Sequence, residues 1–165
     1  MPVPTAPGTT DYEMTSDADL QYTRVFAAPR QLVFDAWAKD EHVVNWMGMR
    51  EQTMKVPQHD FRVGGHYRWE WYTAEGEHQV TVRGEFLEIV PNELIRNTEI
   101  MEFGGMVTPE TQCGLHFTES NGLTTVVATV HFPDPETASA AMQSGMQTGI
   151  DIGFDRLDDL LAAQS

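Results

Sequence analysis

The sequence has very little cysteine and no long apolar run. Cys113 is the only cysteine in 165 residues, so a framework of disulfides within the chain is excluded and a cytoplasmic location is expected. Every apolar stretch falls well short of the roughly 20 residues that a membrane-spanning helix requires, so we expect no membrane insertion. Residues 1–19 lack a basic segment followed by an apolar one, and we therefore expect no secretory signal.

Basic residues are also scarce. Lys39 and Lys55 are the only lysines, and 10 basic side chains stand against 25 acidic ones, which gives a formal net charge of −15. Binding to a phosphate backbone or to anionic lipid requires clusters of Lys and Arg. We therefore expect no nucleic-acid binding, and we interpret the acidity as a contribution to solubility.

The sequence motifs of common enzyme classes are missing. The histidines show no metal-binding spacing with one another or with Cys113, and no phosphate loop or dinucleotide fingerprint occurs, so we expect no metal and no cofactor. His116 and His131 lie on strands that could be neighbours, and their facing is left open. Several carboxylates are spread over predicted strands, where each could serve as a general acid or base if it were buried: Glu70, Glu85 and Glu88.

The order of predicted elements indicates an α+β fold. Residues 1–19 are acidic and poor in apolar groups, so we predict a flexible tail, followed by one domain over 20–165. A strand over 21–26 precedes two short helices that begin near Pro29 and Asp40. Residues 51–132 alternate between apolar and polar and are interrupted by short turns, which predicts an antiparallel sheet of six or seven strands.

A long amphipathic helix is predicted at the C-terminus, over about residues 136–163. Asp134 is a favourable N-cap, and Pro135 suits the first helical position. Apolar and small residues then recur at a period near 3.6, which predicts one face packed on the sheet. The face consists of Ala138, Met142, Met146, Ile150, Gly153, Leu157 and Leu160.

Several segments, in this order, resemble one known family. They are TRVFAAP (23–29), WMG (46–48), DFRVGGHYRW (60–69), GEFLEIVP (84–91) and GFDRLDDLL (153–161). Together they resemble the activator of heat-shock-protein-90 ATPase homologue family, a branch of the START-like superfamily that includes polyketide cyclases and the birch-pollen allergen. The resemblance implies a helix-grip fold, in which a curved antiparallel sheet wraps around the C-terminal helix and leaves a cavity between them.

Aromatic and methionine side chains are the candidates for lining that cavity. Tyr67, Trp69 and Trp71 share one face of a predicted strand, and thioether groups adapt to irregular ligands. Gly145, Gly149 and Gly153 recur along the last helix, where they permit either close packing or space for a ligand. The full set of candidate lining residues is Trp46, Tyr67, Trp69, Trp71, Phe86, Phe103, Met142 and Met146.

Three functions remain open from the sequence. The leading hypothesis is the binding of a small hydrophobic or amphipathic molecule between the helix and the sheet. The first alternative is a cyclase- or dehydratase-like enzyme that uses a carboxylate or histidine in the pocket, which requires a titratable group with a perturbed pKa. The second is a protein-interaction domain that acts with a chaperone, which requires a large exposed surface patch.

Overall fold

One antiparallel sheet forms most of the molecule. The computed structural model describes residues 6–164. Nine strands are present in this part: β1 (Thr10–Met14), β2 (Asp19–Phe26), β3 (Thr53–His59), β4 (His66–Tyr72), β5 (His78–Val90), β6 (Leu94–Phe103), β7 (Met106–Val107), β8 (Thr111–Ser120) and β9 (Leu123–His131). Their spatial order is β1-β2-β9-β8-β6-β5-β4-β3, and β7 pairs with β6.

Four helices accompany the sheet. Two short helices follow β2, as the sequence predicts, and two follow β9: α1 (Arg30–Ala38), α2 (Asp40–Val43), α3 (Pro135–Gln143) and α4 (Met146–Gln164). Buried side chains of α1 and α4 pack with those of the sheet in one apolar cluster. The α+β helix-grip arrangement is therefore confirmed, with nine strands in the described residues where six or seven were expected.

Local turn chemistry explains how consecutive strands are joined. Asn121 and Gly122, with φ of 54° and 78°, connect β8 to β9 as a two-residue turn between the paired residues Ser120 and Leu123. A turn with two positive φ angles matches the twist of the flanking strands, and Asn-Gly is the dipeptide that adopts it most readily. Short connections of this kind make the neighbouring strands antiparallel.

The predicted single C-terminal helix is divided into two. The Asp134 side chain accepts a hydrogen bond from the backbone N–H of Thr137 at 2.7 Å, as expected of an N-cap. However, α3 ends at Gln143, and Gly145 has a φ of +86°. The prediction of one continuous helix over 136–163 was therefore wrong. The reason is that glycine enters the left-handed region without a Cβ clash and so terminates helices readily.

The acidic N-terminal segment contains an ordered strand, although we predicted a flexible tail over residues 1–19. Strand β1 pairs with β2, and the Tyr12 hydroxyl donates hydrogen bonds to Oδ1 of Asp151 at 2.6 Å and to the carbonyl of Gln147 at 3.1 Å. The Tyr12 ring also lies 5.7 Å from that of Tyr22. The contacts of Tyr12 and the pairing of β1 with the edge of β2 thus hold this segment in place, and composition alone does not predict them. Residues 1–5 lie outside the described part of the chain.

Two arginines hold α4 in position. Arg24 of β2 is only 2% exposed, and its Nη2 donates to Oδ1 of Asp155 at 2.8 Å and to Oδ2 of Asp158 at 2.5 Å. Arg156 donates from Nη1 to the backbone carbonyl of Gly48 at 3.0 Å, which ties the segment after α2 to the helix. These charge-assisted hydrogen bonds fix the helix against both the sheet and the α2 segment.

Candidate functional site

The apolar side chains between helices and sheet form two clusters. The larger cluster centres on α1, α4, β4 and β5 and includes Phe26, Trp37, Trp46, Tyr67 and Phe154. The smaller one lies beneath α3 and consists of Leu20, Val130, Phe132 and Ala138, with Met142 and Met146 packed against it. Tyr22 contacts both clusters.

The predicted lining residues divide into two groups. Five are at most 8% exposed and belong to the larger cluster, namely Trp46, Tyr67, Trp69, Trp71 and Phe86. The remaining three, Phe103, Met142 and Met146, are half-buried. The structure therefore brings five of the aromatic residues together as a packed wall, whereas Met142 and Met146 pack against the smaller cluster.

The polar atoms of the wall are already satisfied. Nε1 of Trp46 donates to the carbonyl of Ala36 at 2.9 Å, and Nε1 of Trp71 donates to that of Met47 at 3.2 Å. Trp71 also explains Gly48, because a Cβ at this position, with φ of +92°, would lie 2.2 Å from Nε1 of Trp71. Hydrogen bonds and close packing thus hold the wall rigid, which favours a preformed site.

Strand β6 lies between β5 and β8 and directs part of its side chains toward the helices. Met101 pairs with Val82 of β5, and Ile95 pairs with Leu115 of β8; all four belong to the larger apolar cluster or pack against it. Because side chains alternate along a strand, Asn97 and Glu99 face the same side. Asn97, Glu99, Met101 and Phe103 are all half-buried. These four inward-facing residues are less enclosed than Ile95 of the same strand, which is 2% exposed.

One side of helix α4 borders open space. A Cβ added to Gly153 would lie 3.7 Å from the Trp46 ring, so this side of α4 faces the wall. Gly149 lies one turn earlier on the same helix face, and a Cβ there would meet no atom within 4 Å. Gly149 is half-buried, between Met146 and Ile150. Gly149 therefore borders open space on the side of α4 that, one turn later, faces Trp46.

Glu99 is an inward-facing residue of β6 whose carboxyl has a shifted pKa. Burial raises the pKa of its carboxyl above the ordinary value. The groups that interact with it electrostatically are Tyr22 of β2, Tyr67 of β4 and Cys113 of β8, and the pKa of each is raised, first by burial and then by nearby negative charge.

A short hydrogen-bond network adjoins this carboxyl. The Tyr67 hydroxyl donates to the carbonyl of Thr98 at 2.6 Å and accepts from Nδ2 of Asn97 at 3.0 Å. The Thr111 hydroxyl donates to the backbone carbonyl of Glu99 at 3.3 Å. The network orients Tyr67 and Asn97 without involving the Glu99 carboxylate.

Sequence reasoning singled out other carboxylates and missed Glu99. Glu70 accepts from Nε of Arg68 at 2.8 Å, Glu88 accepts from Nη1 of Arg96 at 3.2 Å, and Glu85 lies 3.7 Å from Nε2 of His66. All three are therefore paired. The available signal for Glu99 was the odd-numbered phase of Ile95, Met101 and Phe103, but Leu94 and Ile100 support the opposite phase equally well.

Two depressions occur on the outer surface of the sheet. One, of about 160 Å³, is lined by polar residues of β6, β8 and β9 that include His116 and His131. Both histidines are exposed and face away from the helices. The other, of about 170 Å³, lies beside Arg68 and Arg83. Neither corresponds to the predicted cavity.

Within residues 6–164, no group of three or more His, Cys, Asp or Glu side chains is placed to hold a metal ion. None of the helices described here combines the length and apolar character needed to cross a membrane.

Known proteins of similar sequence and structure identify the family. The model of the family described as activator of Hsp90 ATPase homolog 1-like protein matches residues 27–162. No protein of curated function matches the chain.

Several solved structures share the fold. A crystal structure from Rhodobacter sphaeroides is 24% identical, with a TM-score of 0.86 over 94% of this chain and 99% of that one. One from Mycobacterium smegmatis is 20% identical, with a TM-score of 0.82 over 94% and 98%. A solution structure from Staphylococcus epidermidis is 25% identical, with a TM-score of 0.77 over 93% and 94%. From the sequence match and these structures, the chain belongs to the activator of Hsp90 ATPase homologue 1-like family and has its START-like fold.

Proposed function

We propose that the protein binds a small hydrophobic or amphipathic molecule in the recess between α4 and the inner face of β6. One observation carries the proposal: inward-facing residues of β6 remain half-buried, while α4 borders open space at Gly149. A cleft with rigid aromatic walls and few polar groups is the usual form of a small-molecule site. The family's fold is consistent with this role.

The direct test fills the recess. Gly149→Leu places a side chain where no neighbouring atom lies within 4 Å, so it should reduce the affinity for a neutral apolar probe such as Nile red by at least tenfold. Because leucine is a better helix former than glycine, the variant should be as stable as the wild type or more stable, by up to about 1 kcal/mol. Probe fluorescence and urea unfolding measure the two effects.

A matched control separates filling from general perturbation. Ala163→Leu adds apolar bulk at an exposed position of the same helix and should leave probe binding unchanged. Wild-type protein that binds no neutral apolar probe would contradict the proposal. So would a Gly149→Leu variant that binds as tightly as the wild type.

A second candidate function is proton-transfer catalysis, and Glu99 is the observation in its favour. Burial raises the pKa of its carboxyl, which is the direction of shift that general acid or base catalysis by a carboxyl group requires. Such an enzyme should exchange an acidic C–H proton of a bound ketone with deuterated solvent, as followed by NMR. Exchange that is absent, or that persists unchanged in Glu99→Gln, would exclude this role for the residue.

A further inference from the structure

The Glu99 carboxylate lacks a partner, which sets it apart from its neighbours on the sheet. Across residues 6–164 it makes neither a side-chain hydrogen bond nor an ion pair, and only its backbone carbonyl is bonded, to Thr111. On the outer face of the same strand, by contrast, Glu102 accepts from Nε of Arg83 at 2.6 Å. A carboxylate removed from bulk water gains most from a charged or hydrogen-bonding partner. Glu99 therefore has an unmet demand for one.

The groups that face Glu99 cannot meet that demand as cations. They are Tyr22, Tyr67 and Cys113, which are neutral when protonated and negative when not. Two basic residues of the inner face, Arg24 and His59, have partners of their own: Nη2 of Arg24 donates to Asp155 and Asp158, and the His59 ring is hydrogen-bonded to the Ala38 carbonyl and to Nε1 of Trp69. The recess thus combines a carboxylate, tyrosine rings and an apolar wall without a free positive charge.

We propose that the ligand carries a basic nitrogen on an apolar body, and that Glu99 binds this nitrogen at the inner face of β6. The inference rests on the proposed binding function and names its ligand class. An ammonium group pairs with a carboxylate through charge-assisted hydrogen bonds and is attracted to the faces of tyrosine rings. A ligand carboxylate would be repelled at the same position.

The proton balance of binding follows from this arrangement. Where Glu99 is protonated in the empty recess, the incoming ammonium displaces the carboxyl proton to solvent and pairs with the carboxylate that remains. No covalent bond of the ligand forms or breaks. Amine binding should therefore release protons at pH values where Glu99 is protonated, and should strengthen as pH rises through the pKa of Glu99. A neutral alcohol of the same shape should show neither effect.

The experiment compares three probes that share one apolar body. Phenylbutylamine, phenylbutanol and phenylbutyrate are titrated into the full-length protein and into Glu99→Gln by isothermal calorimetry. For the wild type, we expect the amine to bind about tenfold more tightly than the alcohol, with the carboxylate weakest. In Glu99→Gln, the amine should lose its advantage and the alcohol should keep its affinity. Glu102→Gln, on the outer face of β6, should behave as the wild type.

The outcomes distinguish a failure of the proposed ligand class from a failure of the proposed binding function. If the alcohol binds and the amine binds no better, or if Glu99→Gln keeps the amine preference, the ligand class is wrong while the binding function stands. If no probe binds the wild type, both proposals fail. If Glu99→Gln does not fold, NMR of the wild type labelled at glutamate side chains decides: amine, but not alcohol, must lower the pKa of Glu99.

Discussion

At the scale of single residues, the unpaired carboxyl of Glu99 makes stability depend on pH. Because burial raises its pKa in the folded state, the folded protein binds this proton more tightly than the unfolded chain does. The stabilising contribution is complete below the unfolded pKa and is lost as pH rises through the folded pKa. We therefore predict that Glu99→Gln is more stable than the wild type at neutral pH, and that the difference shrinks in acid. Urea unfolding at several pH values measures it.

Glu102 supplies the control with the opposite sign. The hydrogen bond from Arg83 lowers the pKa of its carboxyl, so its contribution to stability is present above the unfolded pKa and is lost as pH falls through the folded one. Glu102→Gln should therefore not stabilise the protein at neutral pH. If both variants respond to pH in the same way, the environment assigned to Glu99 is wrong.

At the scale of elements, two glycines four residues apart should respond oppositely to alanine. Gly145 separates α3 from α4 with a φ of +86°, whereas Gly149 lies within α4, in open space. Alanine at position 145 is strained and should lower the free energy of unfolding by about 1 kcal/mol. Alanine at position 149 should raise it by about 0.5–1 kcal/mol, because it restricts the unfolded chain and favours the helix.

The comparison is direct because the two substitutions are chemically identical. Both variants should unfold with the same dependence on urea concentration as the wild type, which keeps the difference in midpoint interpretable. A Gly145→Ala variant that is more stable than the wild type would show that α3 and α4 prefer to form one continuous helix. The predicted single helix would then be right for the variant.

At the scale of the whole molecule, the excess of acidic side chains should make stability sensitive to salt. The formal charge of −15 produces repulsion that is greater in the compact state than in the unfolded chain. The screening length falls from about 30 Å at 0.01 M to about 8 Å at 0.15 M ionic strength. We therefore expect sodium chloride to raise the urea midpoint over this range. A lower midpoint would mean that the surface ion pairs outweigh the repulsion.

Much of the architecture could be predicted from the sequence because it depends on short-range patterns. Alternation at a period of two indicated the strands, and Asp134 and Pro135 marked the start of α3. These signals depend on backbone geometry within a few residues. The family could be identified in the same way, since its segments lie in order along the chain.

The candidate site was predicted less completely. Aromatic residues expected to line a cavity, such as Trp46 and Trp71, lie in the packed cluster, and their part in ligand binding stays a prediction. Glu99 was missed because both phases of β6 carry apolar residues. Only the pairing of Met101 with Val82 and of Ile95 with Leu115 shows which side of the strand faces the helices.

The sequence by itself thus determined the fold class, the order of the elements, the charge of the molecule and its family, because each of these is a property of local pattern or composition. The tertiary structure alone decided that Tyr12 ties β1 to α4 through Asp151, that α4 borders open space at Gly149, and that the Glu99 side chain lies on the inner face of β6 without a hydrogen-bonding partner among the described residues. These features depend on residues far apart in the chain. The contacts of a side chain are set by which distant elements pack around it, and no local pattern contains that information.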